Sequence, residues 1–540
     1  MATITIDKQR FLTLVGKNLT DSDIEEFLPQ IKCEFEEFTS DGGITVSVTG
    51  DRPDLLSTPG IARALRGFLE LDLSPSDLKL EKSKIEITIE KSVEDVRPFL
   101  VSALIENVNL DHVAIRDLMQ LQEKLHFTQG RKRKKVAIGL HNADVLAFPL
   151  TYKAVSPESV SFIPLGMDVK LNLREILEQH EKGIEFEGIL KGFDKYPIFI
   201  DAKDNVISFP PIINGRITTV SESTKTILVD VTGTELKDCQ LVLNILCQDF
   251  SDMGFKVKSV QVNGIEFPQT AKKSLKLSVS NCNKLLGVSL SQEDLLKSLY
   301  RQKISAEVLD ENSIVAFIPN YRADIFAEID LIEEVAIGHG IRNFIPAKSV
   351  VFTKGSIGQK SKLQEDVAIK MVGGGFLELN SYLVSSKSKH EKAGIFEEQM
   401  EILNPVNNEY TCVRSSILPG LFDALSKNTH QPYPQRIFEV GETVEVDENE
   451  IELKSKTRLK LAAIACHAGS SMTEIASLLQ KVLNQKVILQ EFECKTFIKG
   501  RSAEVFVSGK KIGIAGEVNP QVLGDYALEM PASAFEVFID

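Results

Sequence analysis

No run of apolar residues in this 540-residue sequence approaches the roughly 20 that a membrane-spanning helix needs. The opening MATITIDKQRFLTLVGKN has no long apolar core before a small-residue cleavage site, so it does not read as a secretory leader. A cytoplasmic protein with no membrane partner is the expectation. Seven cysteines (Cys33, Cys239, Cys247, Cys282, Cys412, Cys466 and Cys494) are scattered without a CxxC pair, a pattern of reduced, buried thiols that argues against a zinc site. Neither a P-loop nor a GxGxxG fingerprint occurs, and no internal repeat or low-complexity tract stands out. The net charge of −14 argues against a broad phosphate-binding surface, because nucleic-acid binders usually carry a basic footprint. Contact with RNA would have to be local.

What is present is ordinary globular composition, 43% hydrophobic and 26% charged, in a chain long enough for about three or four domains. The first unit, 1–84, is α+β: Thr20 or Asp21 caps a short helix carrying Ile24, Phe27, Leu28 and Ile31, ITVSVTG reads as a strand, and GIARALRGFLEL as a helix. Residues 85–269 are strand-rich, with helices at DHVAIRDLMQLQEKLHF and KDCQLVLNILCQDFSDMGF, and form a large α+β domain. Residues 270–346 give a capped helix (Ser291 with Asp294), two strands around a polar turn and a further helix, the order of a small winged-helix-like module. From 347 to 540 helices alternate with strands. Gly373 to Gly375 read there as a helix C-terminal cap, since glycine tolerates positive φ.

Two charged stretches stand apart. GRKRKK, Gly130–Lys135, sets five cations in a row; it is either a solvated basic turn or an RNA contact, with a localisation signal as a third option. IPNYRADIFAEIDLIEEVAIGHG, Ile318–Gly340, crowds carboxylates along one helix. On a wheel, Ile325, Ile329, Ile332 and Ala336 share the face expected to be buried. Asp330, Glu333 and Glu334 share a neighbouring arc, Asp324 sits at the expected N-cap, and Glu328 points elsewhere. Like charges at this spacing repel by a few tenths of a kcal/mol each, so the arc is either a solvated face or a seat for a hard cation such as magnesium or calcium.

RADIFAEIDLIEEVAIGHGIRNFIP resembles the metal-binding module of the phenylalanyl-tRNA synthetase β-subunit family. GDRPDLLSTPGIARALRGFL resembles that family's N-terminal motif, with Asp51 where Asn is frequent. LMQLQEKLHFTQGRKRKKVAIGLHN and PPIINGRITTVSESTKTILVDVTGTE resemble its archaeal and eukaryotic form; NPVNNEYTCVRSSILPGLFDALSKN, QRIFEVGE and GIAGEVNPQVLG resemble its C-terminal domain. The resemblance spans nearly the whole chain.

It implies a multidomain α+β subunit of an aminoacyl-tRNA ligase, paired with an α subunit in an α2β2 tetramer that joins phenylalanine to tRNA(Phe). ATP and phenylalanine would bind on the α subunit. Residues 347–540 would be a class II synthetase-like antiparallel sheet with helices that has lost its active site, consistent with the lack of a Gly-x-Gly-x-x-Arg motif; Arg414, Arg436 and Glu439 are then structural or at the α interface. Mg2+ is the implied cofactor, with Asp324, Asp330, Glu333 and Glu334 as ligands.

Hydrolytic editing of tyrosyl-tRNA(Phe) is implied in 85–269, because an apolar pocket rejects an added hydroxyl by only about a hundredfold. Asp230, Thr232 and Thr234 alternate on a strand, with Asn214 and Ser208 upstream. By resemblance Asp230 reads the tyrosine hydroxyl, while Asn214 and Thr232 position ester or water. GRKRKK then leans towards the tRNA backbone. No Ser-His-Asp set is evident; His180 reads as surface, and His141 as a buried or interface histidine rather than one near the pocket. A freestanding RNA-binding or metal-stabilised scaffold and a freestanding aminoacyl-tRNA deacylase are the competing readings.

Overall fold

The structure, a computed structural model, describes residues 2–349 and 351–539. The chain divides into two compact units, 1–348 and 349–540.

The first unit carries three main sheets. Strands Ala2–Asp7, Gly43–Val48 and Cys33–Phe38 form an antiparallel sheet with Gly43–Val48 in the middle. Helix Asp21–Phe27 begins at Thr20, whose hydroxyl caps Asp23 while the Asp23 carboxylate caps Thr20 in return. Helix Thr58–Phe68 follows, with Ser57 as its cap. It presents Arg63 to Asp54, Asp249 and Asp252, and the guanidinium stacks 4.2 Å from the Tyr321 ring. One side chain thus touches all three sheet-bearing parts of this unit.

The second sheet has ten strands. Across it run Ile213–Asn214, Val206–Phe209, Tyr196–Ile200, Leu150–Val155, Leu80–Ile89, Lys256–Val262, Phe99–Glu106, Ile227–Gly233 and Val136–Asn142, and Ile265–Phe267 pairs off this path with Lys256–Val262. Helix Leu236–Asp252 covers Phe99–Glu106 and Ile227–Gly233. Strand Ile227–Gly233 is flanked on both edges and all seven of its residues are buried. Its apolar members need no more than that burial. Asp230 and Thr232 are buried among them and must find polar partners, because a buried polar group without one costs about 1–3 kcal/mol.

The third sheet sets Ser313–Ile318 between Lys273–Ser278 and Ser305–Asp310, packed against helices Val279–Leu286, Gln292–Arg301 and Glu328–His339. Gly338 lets the last of these approach its neighbour: a Cβ there would stand 2.0 Å from the Ser298 carbonyl oxygen.

The second unit is a seven-stranded sheet in the order Leu377–Glu378, Gln435–Val446, Ser455–Cys466, Ala532–Phe538, Lys510–Val518, Phe497–Val507, Val487–Glu491. Only the short edge strand Leu377–Glu378 pairs in parallel. Helix Leu418–Lys427 packs in one core cluster of this unit, and helices Gln359–Gly373 and Met472–Leu483 in another. Gly375, at φ +84°, follows the end of the Gln359–Gly373 helix.

Candidate functional site

Strand register puts Asp230 opposite Ser102 on one side and Gly139 on the other. Gly139 has no side chain to fill the space: a Cβ there would stand 2.0 Å from Asp230 Oδ1 and 2.4 Å from His141 Nε2. His141 is two residues along the same strand, hence on the same face. Its Nε2 lies 2.6 Å from Asp230 Oδ1 and its Nδ1 lies 2.9 Å from Thr218 Oγ1. A carboxylate accepts hydrogen bonds, so Nε2 is the donor to Asp230, while Thr218 Oγ1 sits between Nδ1 and the Gly215 carbonyl with one proton to share between them. His141 is fully buried and Asp230 is 2% exposed.

Thr232 has a different partner. Arg97 donates from Nε to Thr232 Oγ1 (2.9 Å) and from Nη2 to the Thr232 carbonyl (2.7 Å), and from Nη1 to the carbonyls of Arg133 and Lys134 (3.3 and 3.4 Å). Among the described residues no carboxylate pairs with Arg97, and burial holds its guanidinium below its ordinary value. Because Oγ1 accepts from Arg97, the Thr232 O–H is left to donate elsewhere.

Ser208 and Asn214 face each other on adjacent strands. The Ser208 hydroxyl is buried without a protein partner. Ser208, Asn214, Asp230 and Thr232 all line one cavity of about 260 Å³, which Met119, Gln122, Glu123 and Arg133 also line. Thr234, the third residue in the alternation, is exposed and lines a separate depression beside Arg97 and Lys134. His180 is buried rather than surface: its ring bonds the Leu165 carbonyl and caps helix Glu181–Phe186.

GRKRKK is not a row of equivalent cations. Arg131, Lys132 and Arg133 all have positive φ (46°, 55° and 64°), one left-handed turn of non-glycine residues. Each such residue costs of order 1 kcal/mol. The turn is held by Arg97 at two of its carbonyls and directs Arg133 inward. Arg133 pairs with Glu123 at 2.7 Å, donates to the Ile212 carbonyl at 2.8 Å and stacks on Phe186. The His126 ring, its Nδ1 3.5 Å from Glu123, and the Arg133 guanidinium together take the Glu123 carboxyl down to about 2. Lys135 pairs with Glu235 and Asp238. Arg131, Lys132 and Lys134 remain exposed, and Lys132 lies over the exposed Phe127 ring.

The acidic helix departs from the sequence expectation. It begins at Glu328 with Ala327 as N-cap, so Asp324 is not the cap. Asp330 takes that duty by reaching back: its Oδ2 accepts from the backbone N–H groups of Phe326 and Ala327. Ile325 stays buried, but Ile329 is 57% exposed, and the buried residues of the helix are Leu331, Ile332, Val335, Ile337 and Gly338 together with Glu334. Glu328 accepts from the Ser278 N–H and the Asn281 amide.

Arg322 fills the space between Asp324 and Glu334. It donates to the Asp324 oxygens at 2.8 and 2.7 Å and to Glu334 at 3.0 Å, with a further 2.7 Å approach to Glu334 Oε1. Lys32 of the first sheet's module lies 2.9 Å from Glu333 and 3.0 Å from Asp51. Burial alone would lower the Lys32 ammonium, yet Glu333, Glu334 and Asp51 together hold it above its ordinary value. Among the described residues no three His, Cys, Asp or Glu side chains converge as a metal cage. In the subunit as folded Arg322 meets Asp324 and Glu334, Lys32 meets Glu333, and an Asp330 oxygen is committed to backbone, so a magnesium ion on these four carboxylates would have to displace those partners.

In the second unit Arg414 and Glu439 form a buried pair at 2.7 Å, joined by Ser381. Arg436 pairs with Glu474, which also meets His467. Both sets of contacts lie inside one unit.

Comparison with known proteins gives two family matches: the tRNA synthetase B5 domain over residues 275–341 and the phenylalanyl tRNA synthetase beta chain CLM domain over 345–539. The phenylalanine–tRNA ligase beta subunit of Methanocaldococcus jannaschii is 37% identical, with all of both chains covered. That of Archaeoglobus fulgidus is 38% identical over 94% of this chain and 93% of its own. A crystal structure of an N-terminal fragment of the phenylalanyl-tRNA synthetase beta subunit from Pyrococcus horikoshii is similar with a TM-score of 0.61 and 31% identity, covering 63% of this chain and 100% of the fragment.

Proposed function

The chain belongs to the phenylalanine–tRNA ligase β-subunit family, and from that premise we propose how its parts divide the work of an aminoacyl-tRNA ligase. An α subunit activates phenylalanine with ATP and transfers it to tRNA(Phe) within an α2β2 assembly in the cytoplasm. This chain contributes an N-terminal α+β domain (1–84), a hydrolytic editing domain (85–269), a winged-helix-like module (270–346) and a non-catalytic synthetase-like domain (347–540). Magnesium accompanies ATP in this reading. An ion on Asp324, Asp330, Glu333 and Glu334 would require Arg322 and Lys32 to give up their partners.

The observation that carries the editing assignment is the meeting of Ser208, Asn214, Asp230 and Thr232 in one cavity. Their chemistry suits a tyrosyl ester. The Asp230 carboxylate accepts the phenolic O–H, a contact that phenylalanine's bare ring cannot make. A site built to bond a hydroxyl discriminates far better than one built to exclude it. Thr232 donates its free O–H, and Ser208 and Asn214 supply donors and acceptors that orient the ester and a water. The exposed Arg131, Lys132 and Lys134 receive the acidic tRNA end.

Coexpression with a class II α subunit tests the assembly: a stable complex that charges phenylalanine is expected, and neither complex nor charging would sink the ligase reading. In that complex Asp230→Ala should let tyrosyl-tRNA(Phe) accumulate. Unchanged clearance would reject the editing site.

A further inference from the structure

We propose that His141 is the positioning residue of this cavity, the group that fixes which way the Asp230 carboxylate faces; this rests on the editing reading above. His141 does not line the cavity, whereas Asp230 does. The ring takes Oδ1 at 2.6 Å and leaves Oδ2 as the oxygen outside the pair. Thr218, at 2.9 Å from Nδ1 and within 3.2 Å of the Gly215 carbonyl, holds the ring from behind. Thr218 and Gly215 also line the cavity, beside Asn214, so the ring is clamped by the segment that forms the cavity wall.

Gly139 makes this arrangement possible. Any side chain there would stand where Asp230 Oδ1 and His141 Nε2 meet, at 2.0 and 2.4 Å from its Cβ. Nothing about strand geometry demands glycine at this place, since Gly139 is an interior strand residue without positive φ. Glycine in a strand interior otherwise weakens the strand, and a close approach of other groups is the usual reason for it. Here the close approach is the carboxylate–imidazole pair.

The consequence is specificity. A carboxylate with one oxygen pinned presents a fixed acceptor, so a tyrosine ring entering the cavity finds its hydroxyl met in one orientation only. An unpinned carboxylate would turn to other partners and lose the distinction between a phenol and a bare ring. His141 therefore acts through Asp230 and touches no substrate atom.

The test uses the assembled enzyme and reads the ratio of kcat/KM for deacylation of tyrosyl-tRNA over phenylalanyl-tRNA, which a general loosening of the fold would not change selectively. His141→Ala should lower the ratio at least tenfold. His141→Gln, which keeps an N–H at a similar reach, should recover most of it. Gly139→Ala should lower it comparably with His141 intact, because the added methyl parts the pair. Thermal unfolding of each variant separates loss of fold from loss of aim. A ratio within twofold of the parent for both His141→Ala and Gly139→Ala, while Asp230→Ala lowers it, would overturn the positioning role alone. A fall that His141→Gln fails to recover would overturn the donor role of the ring. Should Asp230→Ala leave tyrosyl clearance unchanged, the editing assignment itself fails.

Discussion

Arg322 stands 2.7 Å from Glu334, and each of the two side chains is 1% exposed. The same guanidinium meets both oxygens of Asp324, so two carboxylates that the sequence groups as metal ligands share one internal cation. The opposing charges hold the guanidinium well above its ordinary value despite burial.

Removing one member of such a buried pair leaves the other uncompensated, at about 3–5 kcal/mol. Arg322→Leu and Glu334→Ala should each lower the unfolding midpoint sharply in urea. Neither magnesium nor a chelator should move the midpoint of the isolated parent subunit. A magnesium-dependent rise there would reject self-neutralisation by Arg322 and Lys32.

Asp249 predicts a pH dependence. Burial pushes its carboxyl from 3.8 up to about 7, with Arg63 and Ser57 offsetting only part of that. Between those values the folded chain holds a proton that the unfolded chain has released. The contribution of this group therefore favours folding on the acid side and is lost as pH rises from about 4 to about 7. Asp249→Asn should gain on the parent in melting temperature across that window; a constant difference between the two would show that Asp249 does not titrate there.

The basic turn should separate into two kinds of residue. Replacing Arg131, Lys132 and Lys134 together by alanine should weaken tRNA binding and flatten its salt dependence by roughly 0.7–0.9 in slope for each phosphate no longer neutralised. Stability should hardly change. Arg133→Ala should instead cost about 2 kcal/mol of folding stability, the scale of hydrogen bonds to a charged group. Equal binding losses with no stability change for Arg133→Ala would contradict its inward orientation.

Arg97 joins Thr232 to the carbonyls of that turn. Arg97→Met should release the left-handed turn, read as faster amide hydrogen exchange over residues 128–135, and should slow tyrosyl-tRNA clearance together with it. Unaltered exchange in the turn would deny Arg97 this linking role.

The sequence by itself determined the family, through motifs in their order, and the alternation that sets Asp230 and Thr232 on one strand face. Both follow from local pattern: period 2 is a property of any strand, and the cap of Thr20 or Ser291 is closed within four residues. The tertiary structure decided which charges meet. The pair 139 and 141, residue 218 and residue 230 lie on three separate stretches, and only the sheet register brings a glycine opposite an aspartate with a histidine two places on. The acidic helix shows the same limit from the other side. A wheel gives the spacing of its residues but not its phase, and packing against Arg322 and Lys32 turned Glu334 inward and Ile329 to solvent. Charge partners are chosen by distance in space, which the linear order of residues does not record.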